Sequence, residues 1–94
     1  MKLRIQQNFI RIRLSKGDIR KLGENTEITE SLHLPESKIY HYRLRHGEEN
    51  NVATDHKSII ISVSKAQFQK QDQDAITWIT KEGLKVLIER DLHG

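Results

Sequence analysis

The sequence predicts an α+β fold. It is expected to hold about seven mainly antiparallel strands in a curved sheet or open barrel, two short helices, and an internal βαββ pseudo-repeat. Two observations predict it. The first is a duplicated pattern 49 residues apart: Phe9-Ile-Arg-Ile-Arg-Leu-Ser-Lys-Gly-Asp-Ile-Arg-Lys-Leu22 aligns with Ser58-Ile-Ile-Ile-Ser-Val-Ser-Lys-Ala-Gln-Phe-Gln-Lys-Gln71. Ile10/Ile59, Ile12/Ile61, Ser15/Ser64, Lys16/Lys65 and Lys21/Lys70 are identical. The second is period-two alternation of apolar and polar residues before each Ser-Lys, which is the signature of a half-buried strand.

The elements follow in order. Lys2-Leu-Arg-Ile5 alternates basic and apolar and reads as a strand, with Gln6-Gln-Asn8 as a tight turn. Ile10, Ile12 and Leu14 alternate with Arg11 and Arg13 in a second strand. Ser15 caps a short helix, because Ser15-Lys-Gly-Asp18 approximates a capping box and Leu14 and Ile19 occupy the staple positions. Gly23 is expected to supply the left-handed C-terminal cap. In the second copy Ser64-Lys-Ala-Gln67 is an S-x-x-Q box with Val63 and Phe68 at the staple positions.

Each helix is followed by a hairpin pattern. Ile28, Leu32 and Leu34, then Tyr40, Tyr42 and Leu44, fall at even positions on an expected core face, with Pro35-Glu-Ser37 as the turn. Ile76 and Trp78, then Leu84, Val86 and Ile88, form the matching pair in the second half. Lys81-Glu-Gly83 suits a three-residue loop with glycine at positive φ. The polar stretch 47–57 is read as a linker. The chain is thus expected to be one domain, 1–94, with halves at about 1–46 and 58–92.

Composition bounds the function. The 94 residues carry a net charge of +3, with 31% charged residues and no cysteine. Disulfides, thiolate metal sites and a cysteine nucleophile are therefore excluded. No uninterrupted apolar run is long enough to span a bilayer, so no membrane association is expected. The opening residues go straight into strand alternation, which is not a signal-peptide pattern. Without disulfide staples in so small a chain, the expected compartment is the cytoplasm. The positive charge is concentrated in residues 1–46, with ten Lys/Arg against five Asp/Glu, while residues 47–94 hold six against eight.

Strand alternation turns that asymmetry into a candidate site. If Ile10, Ile12 and Leu14 face the core, Arg11 and Arg13 face away. By the same rule Lys2 and Arg4 oppose Leu3 and Ile5, and His41, Arg43 and Arg45 oppose Tyr40, Tyr42 and Leu44. If these strands share a sheet, Arg4, Arg11, Arg13, Arg43 and Arg45 gather beside Lys2 and His41. Such a face attracts a polyanion or a phosphorylated small molecule, because neutralised phosphates release counterions and arginine grips phosphate with two parallel donors. The competing account is a solvated face whose arginines pair with Glu27 and Glu30. Aromatics are only 5% of the chain and both tyrosines fall on the core side, so base stacking on the basic face has few candidates.

Catalytic and metal patterns are absent. His41 and His46 face opposite sides of a strand, His33, His56 and His93 are isolated, and all five are read as scattered surface residues rather than a metal site. Ser15 and Ser64 are accounted for as caps. The glycines form no phosphate-cradling loop. No cofactor is implied. The expected function is a non-enzymatic binding or interaction module. The alternative is a small phosphate-ester-handling enzyme, which metal dependence would reveal. Unpaired edge strands leave room for a homodimer.

Met1-Lys-Leu-Arg-Ile5, Asn8 and Ile10-Arg-Ile-Arg-Leu14 together resemble the opening of a family of short, uncharacterised bacterial proteins, and Gly83-Leu-Lys-Val-Leu-Ile-Glu-Arg-Asp-Leu92 looks like that family's closing strand. Gln7 stands where the family pattern has glycine, and the cysteine that follows the family's closing strand is missing. The resemblance implies no activity, so no functional residue carries over. A purely architectural similarity links duplicated βαββ units to the CYTH-like triphosphate-tunnel enzymes. Their Glu-x-Glu-x-Lys strand is replaced here by Lys2-Leu-Arg-Ile5, and fold analogy does not establish function.

Overall fold

The computed structural model describes residues 1–70 and 75–90. In chain order these form β1 (Lys2–Gln6), β2 (Phe9–Leu14), α1 (Lys16–Gly23), β3 (Ile28–Leu34), β4 (Lys38–Gly47), β5 (Asn51–Thr54), β6 (Ser58–Ser64), α2 (Lys65–Phe68), β7 (Ala75–Ile79) and β8 (Lys85–Arg90). The architecture is α+β. Among the described residues it has eight strands in two four-stranded sheets, not about seven in one curved sheet or barrel. The first sheet runs β1-β2-β8-β7 and the second β3-β4-β6-β5.

The four hairpin ladders, β1 with β2, β3 with β4, β5 with β6 and β7 with β8, are antiparallel. The two central joins, β2 with β8 and β4 with β6, are parallel. Each sheet therefore unites two hairpins distant in sequence. The chain passes from the first sheet to the second through α1, and returns through α2. The two parallel joins share one register: Ile12 opposes Ile88 and Leu14 opposes Arg90, while Ile61 opposes Leu44 and Val63 opposes His46.

The eighth strand, β5, lies in the stretch expected to be a linker. Asn51-Val-Ala-Thr54 is an edge strand that contributes one partly buried apolar residue, Val52, to the core. A strand with one inward apolar residue has no alternation to reveal it.

The core is one apolar cluster fed by both sheets. Ile10, Ile12, Leu14, Ile76, Val86 and Ile88 come from the first sheet, and Ile28, Leu44, Ile61 and Val63 from the second. Leu22 and Phe68 close it from the helices. The expected inward positions Leu32 and Leu34 depart from this pattern, being 54% and 41% exposed. Their hairpin runs past the end of its neighbour: β6 begins at Ser58, opposite His41, so among the described residues the segment around Leu32, Leu34 and Tyr40 has no third strand beside it.

Both helices start at the predicted serine caps, and the reciprocal box forms at α1 alone. The Ser15 Oγ accepts from the Asp18 N–H at 3.2 Å, and the Asp18 carboxylate accepts from the Ser15 N–H at 3.0 Å. At α2 the Ser64 Oγ accepts from the Gln67 N–H at 3.3 Å, but the Ser64 N–H donates to the Asn50 Oδ1 instead. Asn50 Nδ2 in turn donates to the Gln67 Oε1 at 2.8 Å, so a loop side chain completes the box. The C-terminal cap of α1 differs from expectation. Gly23 is the last helical residue, and the left-handed position is Asn25 at φ 59°. Thr26 N–H reaches the Lys21 carbonyl and Asn25 N–H the Leu22 carbonyl, which is a Schellman closure with asparagine replacing glycine. Gly83 occupies the expected positive φ, at 92°. In the β1–β2 turn Gln7 sits at φ 52°, where glycine carries no steric cost.

Candidate functional site

The β1–β2 ladder brings four cations together. Lys2 stands opposite Arg13, and Arg4 opposite Arg11. Directly opposed residues in an antiparallel pair project from the same face, about 4.5–5.5 Å apart at Cβ. Ile10, Ile12 and Leu14 are buried, so these four point outward. They line a concavity of about 520 Å³ together with Met1, Leu3 and Tyr42. Like charges placed directly opposite are destabilising, and here two such pairs lie side by side.

One carboxylate moderates this grid. Glu89, on β8 opposite Arg13, forms an ion pair with the Arg11 guanidinium. The hydrogen bond from Arg11 holds the Glu89 carboxyl below the ordinary range against the opposing effect of burial, and the charges of Arg11 and then Arg13 lower it further. The same pairing raises Arg11. Lys2, Arg4 and Arg13 have no carboxylate partner among the described residues.

The other three expected site residues lie on the second sheet, so the structure does not unite all six in one sheet. Each is engaged there. The Arg43 guanidinium grips Glu27 at two points, Nε to Oε1 at 2.8 Å and Nη2 to Oε2 at 2.9 Å. The hydrogen bond to Glu27 and its charge raise Arg43, with a further contribution from Asp55. Arg45 Nε donates to the Ser62 hydroxyl at 3.1 Å. His41 Nδ1 and the Ser31 Oγ share a hydrogen bond of 2.7 Å. Glu30 points the other way from Glu27. It opposes Tyr42 in the ladder, and burial together with that carboxylate raises the Tyr42 phenol.

Two inward-facing basic residues escape the sequence reading. His46 is not a scattered surface histidine. Neither of its buried ring nitrogens has a hydrogen-bond partner among the described residues. It packs edge-on against Phe68 at 4.8 Å between centroids. Burial lowers its pKa from the ordinary 6.5, and the Lys65 charge lowers it further. Arg90 is buried and donates to the carbonyls of Phe68 and Lys70 at 2.7 and 2.8 Å, closing the end of α2. Glu89 and Arg90 were hidden because β8 reaches β2 only through a long-range parallel join. The even-numbered parity of His46 with Leu44 was visible and is the signal that it faces inward. His93 and Gln71 lie outside the described residues.

Asp55 and Ser58 are explained by a turn: the Asp55 carboxylate accepts from the Lys57 N–H at 2.8 Å and the Ser58 hydroxyl at 2.9 Å. Among the described residues no three His, Asp or Glu side chains converge as a metal-binding group. No helix in the described residues is long and apolar enough to cross a membrane. No curated protein and no solved structure matches this chain. The sequence does match, over residues 1–93, a family of unknown function (DUF7009), and the chain belongs to that family.

Proposed function

We propose that the protein is a non-enzymatic binding module for a polyanionic or phosphorylated ligand, and that the ligand sits on the Lys2, Arg4, Arg11, Arg13 grid. One observation carries the reading. Two like-charge pairs face each other across one ladder, with a single ion pair to them among the described residues. A bound anion converts that repulsion into bidentate charge-assisted hydrogen bonds. His41, Arg43 and Arg45 belong to the proposal only as a flanking source of positive potential, since each already has an intramolecular partner.

The test is heparin binding at low salt, followed through a salt titration. The affinity is expected to fall by orders of magnitude over a few-fold rise in salt, as binding to several phosphates does. No binding at low salt sinks the proposal.

We further read the two halves as related copies. Exchanging β1–β4 for β5–β8 converts the strand order of one sheet into that of the other. The shared register of the two parallel joins supports the same reading. Residues 1–94 are then one domain, because each sheet takes a hairpin from each half.

A further inference from the structure

The outer face of the first sheet is not cationic throughout. Beside the grid, and sharing Arg4 and Arg11 with it, lies a second concavity of about 460 Å³. Phe9, Leu87 and Ala75 give it an apolar lining, and Gln6 and Glu89 give it polar groups. Phe9 and Leu87 alternate with the buried Ile10, Val86 and Ile88, so both stand on the solvent side of the sheet. The Lys85 ammonium lies 5.5 Å from the centroid of the Phe9 ring. An aromatic ring beside an aliphatic side chain on an outward sheet face, flanked by Arg4 and by the Glu89-paired Arg11, is a stacking platform with an electrostatic rim.

The spacing along β2 joins the two concavities. Phe9, Arg11 and Arg13 recur every second residue, about 6.6–6.8 Å apart at the rise of a strand. The apolar floor is thus one such step from the nearest guanidinium and two from the next. A ligand that fills both concavities has a flat, largely apolar group joined by a short linker to phosphate. Gln6 brings both an amide donor and an acceptor to the floor, and the Glu89 carboxylate is an acceptor.

Resting on the binding reading above, we infer that the ligand class is a nucleotide unit whose base carries an exocyclic amine. The base seats on Phe9 and Leu87. Gln6 and Glu89 read its edge, as glutamine and carboxylate side chains read adenine and cytosine. The phosphate meets Arg4 and Arg13, with Lys2 beside them. A free nucleotide and a single-stranded nucleic acid share this chemistry. A duplex does not, because its base faces are stacked.

The experiment is fluorescence anisotropy with a labelled eight-residue oligodeoxyadenylate. It is compared with an abasic phosphodiester of equal length, a duplex of equal phosphate count, heparin, and adenosine triphosphate as competitor. The adenylate oligomer is expected to bind at least about tenfold more tightly than the abasic one. Phe9→Leu is expected to erase that preference while leaving abasic binding unchanged. Leu87→Thr, on the same floor, serves as a second variant if Phe9→Leu does not fold. Displacement by adenosine triphosphate as effective as by the unlabelled oligomer, per site, assigns a free nucleotide; displacement by the oligomer alone assigns a single strand. Equal binding of the abasic oligomer, or preference for the duplex, overturns the base site while leaving the grid intact. Failure of every polyanion to bind, heparin included, overturns the grid and this inference together.

Discussion

The outer faces of the two sheets carry the same kinds of residue and use them differently. On the second sheet Arg43 is clamped by Glu27, Arg45 by Ser62 and His41 by Ser31. On the first sheet four cations oppose one another in two cross-strand pairs, and Glu89 engages only Arg11. The difference lies in what stands opposite. The β3 and β6 neighbours of β4 offer hydroxyls and a preceding carboxylate, whereas β1 offers β2 more positive charge. A basic residue on a sheet face is therefore no indication of a binding site until its cross-strand partner is known.

The largest expected effect separates the faces by affinity. Arg4→Ala with Arg13→Ala is expected to weaken polyanion binding at low salt by at least about tenfold, and to reduce the salt slope by about one for each phosphate no longer neutralised. Arg43→Ala with Arg45→Ala, which removes only flanking potential, is expected to weaken binding far less and to lower Tm. Isothermal titration across salt concentrations, with thermal melts of both variants, measures this. Equal weakening of binding by both double substitutions would erase the distinction between the faces.

A carboxylate exchange sharpens it. Glu89→Gln removes the negative charge paired with Arg11 and is expected to strengthen heparin binding severalfold. Glu27→Gln is expected to leave binding unchanged and to lower Tm, because Arg43 then faces a neutral amide in place of its carboxylate. Parallel binding and melting curves decide the matter, and a Glu27→Gln protein that binds more tightly than Glu89→Gln would reverse the assignment.

The inner faces differ as well, and pH exposes the difference. Arg90 opposes Leu14 and finds two carbonyls, whereas His46 opposes Val63 and finds none. The folded imidazole is held below 6.5 by burial and then by Lys65, so between its folded and unfolded values the unfolded chain binds more protons. That share of stability is complete above about 6.5 and declines as pH falls through the window. His46→Phe is expected to remove the decline that sets in as pH falls below about 6.5, while leaving the loss at more acidic pH, where Glu89 and Asp18 protonate. Urea melts at stepped pH read this out, and an unaltered pH profile in His46→Phe would assign the decline elsewhere.

The smallest effect is the most diagnostic of strain between like charges. Arg4→Ala alone, in the absence of ligand, is expected to raise stability by about 0.2–0.5 kcal/mol, because it relieves the repulsion across the ladder. A decrease of that size in chemical denaturation would show that Arg4 contributes to the fold and not to a ligand site.

Local signals were legible in the chain wherever a short segment sufficed to produce them. The caps at Ser15 and Ser64, the positive-φ loop at Gly83 and the hairpin patterns all emerge from neighbours within a few residues, as does the outward parity of Arg11 and Arg13. Phe9 shares that parity, so its place beside the arginines was readable too. Glu89 was not, because nothing within β8 announces that its partner is β2. Nor was the exposure of Leu32 and Leu34, since alternation names a face without saying whether another layer covers it.

The sequence by itself determined the type of every element but β5, the helix starts, the hairpin turns and which side of those other strands is apolar. These follow from backbone sterics, capping hydrogen bonds and the two-residue period of the pleat. Only the tertiary structure decided that the hairpins join in parallel into two sheets, that β5 forms an edge strand, and that the basic residues divide between two faces. It also decided which of those residues are neutralised. A strand's alternation is satisfied by any partner that buries its apolar face. The choice among partners rests on shared core packing and long-range register, which no local stretch of the chain encodes.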